Sequence, residues 1–376
     1  MRFSYEILLP SYPAVSDTWD SLKAETRPIV VYGMGNGADK LLARFDEYGI
    51  SAADFFASDG FVRGHSFHGK RVLTFSEICE KYEAFRIVLS FASNREDVLS
   101  MLYGIHERYG MTMPDLPVCG DGTFNAAFYN AHYAEIKQVD ALLADTKSRN
   151  LYRAILHYKL TGNISYLGRE LSTPEECYSL FKTESILTAI DAGAYNGDTA
   201  RELLRINPRV EHIIAIEPDK RNYAKLARFA EGVTETRITA VNAAVGKEDG
   251  TVCFHASGNR NATLTGGSFK QRSEEVPLVT VDGVAKDTKT DYVKYDVEGA
   301  EHDALLGSRN TILRDRPYLT VSAYHRNEDI FRLPLLLHEW LPDYRLYYRR
   351  TASLPAWELR LIAVPEEKSA IVGREG

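Results

Sequence analysis

The stretch AIDAGAYNGDTARELL, at residues 189–204, decides the fold of the second half of the chain. Asp191 is predicted to end an apolar strand, and Gly193 and Gly197 follow it. A helix is then predicted to begin at Asp198 or at the next residue. Glycine allows a ligand to approach the backbone closely, and the amide groups at a helix N-terminus would face that ligand. The pattern is typical of a nucleotide-binding turn, although a strand and a helix that only pack tightly produce it as well.

An acidic residue also follows the next predicted strand. Glu217 comes after HIIAI, twenty residues beyond Gly197. An acid at the end of the second strand can accept hydrogen bonds from both hydroxyls of a ribose. The alternative is an acid at a helix N-terminus, beside Pro218.

A third strand end is rich in carboxylates. DYVKYDVEGAEHDALLG, at 291–307, places Asp296, Glu298 and Glu301 around the end of an apolar strand and the start of a helix. For Glu301 alone, an acid stabilised by the helix dipole is the preferred interpretation. Asp296 is predicted to point into the same crevice as the other strand-end acids, because ligands of open α/β sheets bind at that edge.

A histidine follows yet another predicted strand. YLTVSAYHRNED, at 318–329, places Tyr324 and His325 at its end. A lone histidine is more often a structural residue. At a strand end that faces a pocket, however, its ordinary pKa suits it to act as a general base.

Composition and charge exclude several classes of protein. The net charge of −7 and the pI near 5.9 give no support to a nucleic-acid-binding surface. The four cysteines form no CxxC pair, so neither a zinc site nor a disulfide framework is indicated. The chain shows no signal-peptide pattern and no apolar run of 18 residues. We therefore expect a cytoplasmic protein without a membrane span.

The predicted fold class is α/β, with two Rossmann-like parallel sheets joined by a helical connector. IVVYG (29–33), DFFAS (54–58) and RIVLSFAS (86–93) are the predicted strands of the first sheet, and the stretch 111–122 breaks the pattern. The second sheet is predicted to finish with an antiparallel pair of strands. The predicted units are an N-terminal segment at 1–27, a Rossmann-like domain at 28–115, the connector at 116–180 and the second α/β domain at 181–376.

The order of motifs in the second half resembles the FkbM-type methyltransferase family, within the class I S-adenosylmethionine-dependent methyltransferases. The strings that carry the resemblance are DAGAYNGDT, AIEPD, VNAAVG, LVTVDGV, KYDVEGAE and SAYHRNEDIFRLP, within roughly residues 178–364. The resemblance implies a seven-stranded sheet with an antiparallel terminal strand. It also implies S-adenosylmethionine as methyl donor and a hydroxyl of a sugar, glycan or secondary metabolite as acceptor.

The same resemblance implies roles for individual residues. Whether a divalent metal joins the site is left open, because carboxylates could bind magnesium or only polarise the acceptor. A further open point is Tyr195, which stands where related loops carry a middle glycine. The implied donor contacts are Asp191, Gly193 and Gly197 at the methionine and ribose, Glu217 at the ribose hydroxyls, and Asn242 and Ala243 at the adenine. The implied acceptor-side residues are Asp296, which faces the donor's amino group or the acceptor, and His325 at the acceptor hydroxyl.

The first half carries a second glycine pattern. Gly33, Gly35 and Gly37 precede Ala38 as GxGxxA between a predicted strand and a helix, which is the context of a dinucleotide fingerprint. Yet SDGFVRGHSFHGKRVLTFSEI, at 58–78, resembles the nucleotide-sugar-binding N-terminal domain of bacterial sugar acyltransferases. Nucleotide-sugar binding, a purely structural or dimerising domain and an NAD site all remain open. The alternative functions are an NAD-dependent nucleotide-sugar-modifying enzyme and a non-catalytic regulatory protein that binds the donor.

Overall fold

Two sheets, one in each half of the chain, organise the protein and confirm the predicted α/β fold class. The computed structural model describes residues 6–62, 64–256 and 272–370. Within these residues, no helix is both long enough and apolar enough to cross a bilayer. The predicted domain boundaries stay a prediction, because the apolar core runs without a break from one half into the other.

The first sheet has four parallel strands in the order β2-β1-β5-β6. Its three predicted strands form, each shorter than predicted, but β6 was missed because it lies inside the stretch interpreted as a break. The first half runs α1 (Thr18–Lys23), β1 (Ile29–Tyr32), α2 (Asn36–Tyr48), β2 (Asp54–Phe56), α3 (Asp59–Val62), β3 (Ser66–Phe67), β4 (Lys70–Arg71), α4 (Phe75–Lys81), β5 (Arg86–Leu89), α5 (Glu96–Tyr109) and β6 (Met111–Thr112).

Helices connect the two sheets, as predicted. In α8, buried side chains line most of the helix, and Gly162 ends it in the left-handed conformation with φ of 64°. Several other helices here are capped by the side chain of the preceding residue, which satisfies free amide groups of the first turn. The connecting helices are α6 (Ala126–Ala131), α7 (Tyr133–Leu142), α8 (Thr146–Thr161) and α9 (Pro174–Tyr178).

The second half alternates strands and helices. Its central strands are buried along most of their length, which suits parallel strands covered on both faces. The elements are β7 (Thr188–Ala192), α10 (Asp198–Ile206), β8 (His212–Ile216), α11 (Lys220–Glu231), β9 (Arg237–Val241), β10 (Ala244–Val245), β11 (Gly250–Ala256), β12 (Arg272–Val279), α12 (Val281–Val284), β13 (Tyr292–Tyr295), α13 (Glu301–Leu306), α14 (Arg309–Asp315), β14 (Tyr318–Ser322), α15 (Asp329–Trp340), β15 (Tyr344–Arg350) and β16 (Leu359–Pro365).

Seven of these strands form the second sheet, in the order β15-β16-β14-β13-β7-β8-β9. Only β16 runs antiparallel to its neighbours, β14 and β15. This arrangement confirms the predicted antiparallel hairpin at the end of the sheet. Because the other strands are parallel, the carboxyl ends of β7, β8, β13 and β14 meet at one edge.

A separate three-stranded sheet, in the order β10-β12-β11, was not predicted. The sequence indicated a strand at 251–256 but gave no sign of its antiparallel partner β12. That partner reads RSEEVPLV, in which four polar residues precede four apolar ones without alternation, and it contains Pro277, a residue that is rare inside strands.

Hydrogen bonds join the two halves close to the carboxyl ends of the second sheet's strands. Ser93, after β5, exchanges both backbone hydrogen bonds with Leu354, in the loop between β15 and β16, at 2.8 Å each. The amide of Cys119 donates to the carbonyl of His325 at 2.9 Å, and the Cys119 thiol donates to the carbonyl of Glu298 at 3.1 Å. Residues of the first half therefore lie directly against the edge where the strands of the second sheet end.

Candidate active site

A cavity of about 460 Å³ opens at the carboxyl ends of the second sheet's strands. We call it the strand-end cavity. Four residues of the first half reach it: Ala92, Ser93, Asn94 and Val118. The remaining lining residues are Gly193, Tyr195, Asp198, Thr199, Glu202, Ile216, Glu217, Pro218, Asn222, Ala243, Ala244, Val245, Lys294, Asp296, Val297, Glu298, Tyr324, Ser353, Trp357, Glu358 and Arg360.

The glycine turn after β7 is shaped by close packing. Gly193 has φ of 84°, and a Cβ atom placed there would lie 1.9 Å from the carbonyl oxygen of Asp296. Gly197 has φ of 85°, and its Cβ would lie 2.6 Å from the ring of Phe229. Glycine is therefore required at both positions. Gly193 lines the strand-end cavity, whereas Gly197 packs behind it at the start of α10.

Glu217 is held in place by backbone amides. Its two carboxylate oxygens accept hydrogen bonds from the amide of Tyr195 at 2.8 Å and from that of Asp219 at 2.9 Å. Burial raises the pKa of Glu217 to about 7, although these hydrogen bonds act in the opposite direction. The carboxylate is thus fixed at the cavity wall and keeps lone pairs for a ligand.

A lysine bridges two of the strand-end acids. Lys294 is paired with Asp191 across the β13–β7 register, and its Nζ lies 3.6 Å from that carboxylate and 3.5 Å from the carboxylate of Asp296. Burial raises the pKa of Asp191 to about 6, and Lys294 partly counteracts this. Burial would also raise the pKa of Asp296, but Lys294 and His325 outweigh it and the pKa is lowered. Asp296 is therefore ionised at neutral pH.

His325 is fully buried and surrounded by carboxylates. Its Nδ1 atom lies 2.9 Å from Glu301, and its Nε2 atom lies 3.4 Å from Glu298 and 3.8 Å from Asp296. Burial alone would lower its pKa, but the three carboxylates, Glu301 foremost, raise the pKa of His325 to about 10. The imidazole is therefore protonated at neutral pH in the absence of another cation.

Three residues of the cavity wall adopt positive φ without being glycine. They are Tyr195, with φ of 48°, Glu298, with φ of 53°, and Glu358, with φ of 61°. Such conformations cost on the order of 1–3 kcal/mol and concentrate at functional sites. Burial and the nearby acids raise the pKa of Glu298 to about 8, against the effect of His325.

The structure brings four of the predicted site residues to the cavity surface and places four behind it. Gly193, Glu217, Ala243 and Asp296 line the cavity. The residues behind the wall are Asp191 and His325, which are buried, Gly197, which packs on Phe229, and Asn242, whose amide donates to the carbonyls of Glu217 and Pro218. The predicted residue types therefore converge on one edge, but not all of them face the ligand space.

Two cationic side chains of the cavity were missed in the sequence. Lys294 and Arg360 both line it. The signal was present for Lys294, because a charged residue interrupts the apolar strand two positions before Asp296 and must share its face. Arg360 gave no such signal, because its contribution depends on how the antiparallel strand β16 is placed.

Comparison with known families finds a match in this half of the chain. Residues 191–348 match the methyltransferase FkbM domain. The matched segment runs from the end of β7 into β15, and it contains the strand-end acids and most of the residues that line the cavity. No curated protein matches the chain.

One solved structure shares the fold of the chain over most of its length. A methyltransferase FkbM from Methylobacillus flagellatus KT is similar at 19% identity and a TM-score of 0.66, over 92% of this chain and 92% of its own. That similarity extends beyond residues 191–348 into the first half. A precorrin-6Y C5,15-methyltransferase from Geobacter metallireducens is similar at 12% identity, 52% and 90% coverage and a TM-score of 0.31. An rRNA methylase from Streptococcus thermophilus is similar at 10% identity, 52% and 97% coverage and a TM-score of 0.34.

The glycine pattern of the first half lies away from this cavity. A Cβ at Gly37 would lie 2.0 Å from the carbonyl oxygen of Ser90, and a Cβ at Gly33 would lie 2.5 Å from its hydroxyl. These glycines let the turn pack against the end of β5. The resemblance of this half to sugar acyltransferases stays a prediction, as does a nucleotide-sugar ligand.

Proposed function

We propose that the protein transfers a methyl group from S-adenosylmethionine to a hydroxyl group of a sugar or another small polar metabolite. The observation that carries this proposal is the charge of the strand-end cavity, most of whose lining residues lie in the segment that matches the FkbM domain. Six carboxylates line the cavity, but only two cationic side chains do. The cationic side chains are Lys294 and Arg360, and the carboxylates are those of Asp198, Glu202, Glu217, Asp296, Glu298 and Glu358. S-adenosylmethionine carries a sulfonium and an ammonium group against one carboxylate, so its net charge is positive.

The raised pKa values support a cationic ligand. Glu217 and Glu298 have pKa values of about 7 and about 8, because burial disfavours their charged forms. A bound cation would stabilise both carboxylates. An anionic dinucleotide would raise these pKa values further, which argues against NAD in the strand-end cavity.

We place the donor along the ends of β7 and β8. The turn at Gly193 lets the donor lie close to the backbone, and Glu217 accepts hydrogen bonds from its ribose hydroxyls. Ala243, just after β9, offers an apolar surface for the adenine. Asp191 and Asn242 lie behind the cavity wall. Asp191 pairs with Lys294, and the side-chain amide of Asn242 holds the backbone beside Glu217.

We place the acceptor on the other side of the cavity, between the two halves of the chain. Ser93, Asn94 and Ser353 offer polar groups there, and Trp357 offers an aromatic face. This mixture suits a ligand with several hydroxyl groups and an apolar face, such as a sugar ring. The acceptor oxygen then lies opposite Asp296 and Glu298.

The transfer is an in-line displacement. The acceptor oxygen forms a bond to the methyl carbon, the carbon–sulfur bond breaks, and its electron pair stays on sulfur as the neutral thioether. The hydroxyl proton leaves to solvent. Alignment of donor and acceptor supplies most of the acceleration, about 7–11 kcal/mol in well-oriented reactions.

The general-base role predicted for His325 is not retained in this proposal. A base must be unprotonated and must reach the acceptor. With a pKa of about 10, His325 is protonated at neutral pH, and it lies behind the cavity wall. We infer instead that His325 holds the strand-end carboxylates in position.

Calorimetric titration of the full chain with S-adenosylmethionine and S-adenosylhomocysteine tests the donor assignment. We expect both ligands to bind, and we expect Glu217→Ala to weaken both by about 10- to 100-fold, because hydrogen bonds to a carboxylate contribute about 1.5–3 kcal/mol. Glu231→Ala, at the exposed end of α11, removes the same charge and should keep wild-type affinity. Equal affinities in all three proteins would place the donor elsewhere.

A panel of glycosides and polyols with donor labelled at the methyl group tests the acceptor class. Label transferred to a hydroxyl supports the proposal. Label on nitrogen or carbon atoms of other acceptors, with none on hydroxyls, would contradict it.

A further inference from the structure

One nitrogen of His325 is a buried polar atom that makes no hydrogen bond. Nε2 has no hydrogen-bond partner among the described residues, and the side chain is 0% exposed. A buried polar atom left without a partner destabilises the folded state. A buried nitrogen without a hydrogen-bond partner requires an explanation, and a ligand that binds to it would provide that explanation.

The other nitrogen is firmly held. Glu301, fully buried, lies 2.9 Å from Nδ1 of His325 through its Oε1 atom. The same carboxylate accepts hydrogen bonds from the amides of Val297 at 2.9 Å and Gly299 at 3.1 Å. A carboxylate that accepts the Nδ1 proton fixes the ring orientation and directs Nε2 away from Glu301. A metal cation that binds Nε2 displaces the proton from that nitrogen.

Nε2 is directed at two further carboxylates. It lies 3.4 Å from Oε2 of Glu298 and 3.8 Å from Oδ1 of Asp296. Two ligands on the same cation, each about 2.1 Å from it, are separated by roughly 3.0–3.5 Å. The separation from Glu298 falls within this range, and the separation from Asp296 slightly exceeds it. Asp296 is itself positioned by the hydroxyl of Ser322, which donates to its Oδ1 at 2.8 Å.

We propose that a divalent cation of the first transition series, such as Mn²⁺ or Zn²⁺, binds between Nε2 of His325 and the carboxylates of Asp296 and Glu298. Glu301 does not act as a ligand but orients the histidine. An imidazole nitrogen together with two carboxylates suits these cations better than Mg²⁺ or Ca²⁺, which prefer oxygen ligands alone.

The position of the site suggests its use. Asp296 and Glu298 line the strand-end cavity, whereas His325 lies behind them, so the open coordination positions face the cavity. A hydroxyl or carboxylate oxygen of the acceptor could occupy one of them. Binding of the cation does not depend on the methyl-transfer proposal, because the three ligands belong to the chain itself.

Titration of the chelator-treated full-length protein with Mn²⁺, without donor or acceptor, tests the proposal. The free Mn²⁺ signal in electron paramagnetic resonance should fall as one site per chain fills. Asp296→Asn and Glu298→Gln should each weaken binding by about tenfold or more. Glu202→Gln, which changes another carboxylate of the cavity wall outside the cluster, should bind Mn²⁺ as the wild type does.

The nitrogen ligand has its own signature. Electron spin-echo modulation of bound Mn²⁺ should show coupling to a nitrogen nucleus in the wild type and in Glu202→Gln. His325→Gln should remove that coupling or the binding itself, and circular dichroism establishes that each variant is folded. If His325→Gln does not fold, the Asp296 and Glu298 variants alone decide the matter.

Two results would overturn the proposal. One is no saturable binding at millimolar Mn²⁺ and Zn²⁺, in which case His325 serves only as an imidazolium paired with the surrounding carboxylates. The other is binding that Asp296→Asn and Glu298→Gln leave unchanged, which would place the cation elsewhere. Donor affinity measured in parallel separates either failure from a failure of the methyl-transfer proposal.

Discussion

Two glycine turns in this chain pack equally closely against a neighbouring strand end and have different surroundings. The turn after β1 packs Gly37 against the carbonyl of Ser90, at the end of β5, and the turn after β7 packs Gly193 against the carbonyl of Asp296, at the end of β13. In both cases a Cβ atom would lie about 2 Å from a backbone oxygen. The first turn meets a serine whose hydroxyl donates to the carbonyl of Tyr32, whereas the second meets a carboxylate that faces a cavity. A glycine turn therefore indicates how closely two strand ends pack together. The side chains that follow the strands decide which ligand binds there.

Replacing each glycine by alanine gives the largest expected contrast. Gly193→Ala should weaken donor binding by about 100-fold or more, because the new methyl group displaces the end of β13 and φ of 84° is unfavourable for alanine. Gly37→Ala should cost about 1–3 kcal/mol of stability through overpacking but leave the donor affinity of the folded protein unchanged. Thermal unfolding and calorimetry measure the two quantities separately. A comparable loss of donor affinity in Gly37→Ala would remove the distinction between the turns.

The two halves should also respond differently to pH. In the first sheet, burial would raise the pKa of Asp54, but hydrogen bonds from Lys81 and Tyr82 outweigh it and the pKa is lowered. The stability that ionised Asp54 contributes is present above the pKa of this carboxyl in the unfolded state, and it is lost only in acid. Glu298 has the opposite shift, to about 8 from 4.5. The folded state holds its proton more tightly, so stability falls as pH rises between these values, by at most about 1.4 kcal/mol per pH unit.

Melting temperatures between pH 6 and pH 9, in the presence of a chelator, test this difference. His325 adds to the fall in stability with rising pH. Its pKa is raised to about 10, so the stability that protonated His325 contributes is lost as the pH rises toward that value. In Glu298→Gln, the melting temperature should depend less on pH than in the wild type. In Asp54→Asn, the melting temperature should be lower by a similar amount at every pH in this range. Parallel curves for the wild type and Glu298→Gln would show that Glu298 titrates normally.

The smallest expected effect tests whether the first half contributes to the acceptor site. Asn94→Ala should raise the acceptor KM by about three- to tenfold, which corresponds to the loss of one hydrogen bond of about 0.5–1.5 kcal/mol. The donor Kd should not change, because we place the donor along the ends of β7 and β8 and assign Asn94 to the acceptor. Glu80→Ala, at an exposed position of the same half, serves as the control. An unchanged KM in Asn94→Ala would confine acceptor binding to the second half.

The sequence predicted the arrangement of the second sheet better than the arrangement of its active side chains. The apolar strands and the acids that follow them are local patterns, so the sequence alone assigns Asp191, Glu217 and Asp296 to one edge. The burial of His325 could not be predicted, because it depends on the helix that begins at Glu301 and on Cys119, which donates to the carbonyl of His325 from far away in the chain.

The first half shows the same limit. The strands β1, β2 and β5 follow from their apolar residues, but the two-residue strand β6 is defined only by its pairing with β5. Lys294 had a local signal, whereas the contributions of Ser93 and Asn94 to the cavity had none. They depend on contacts between segments that are distant in sequence, and no periodicity encodes such contacts.

The paired backbone of Ser93 and Leu354 has a consequence for how acceptor preference can change. The loop at 351–357 carries Trp357 to the cavity, and its edge is completed by a segment from the other half of the chain. A chimaera that imported this loop without a matching 92–94 segment would lose its hydrogen-bonded partner and the placement of the tryptophan. With the acceptor placed as we propose, its recognition depends on both segments, which have to be transplanted, and inherited, as a pair.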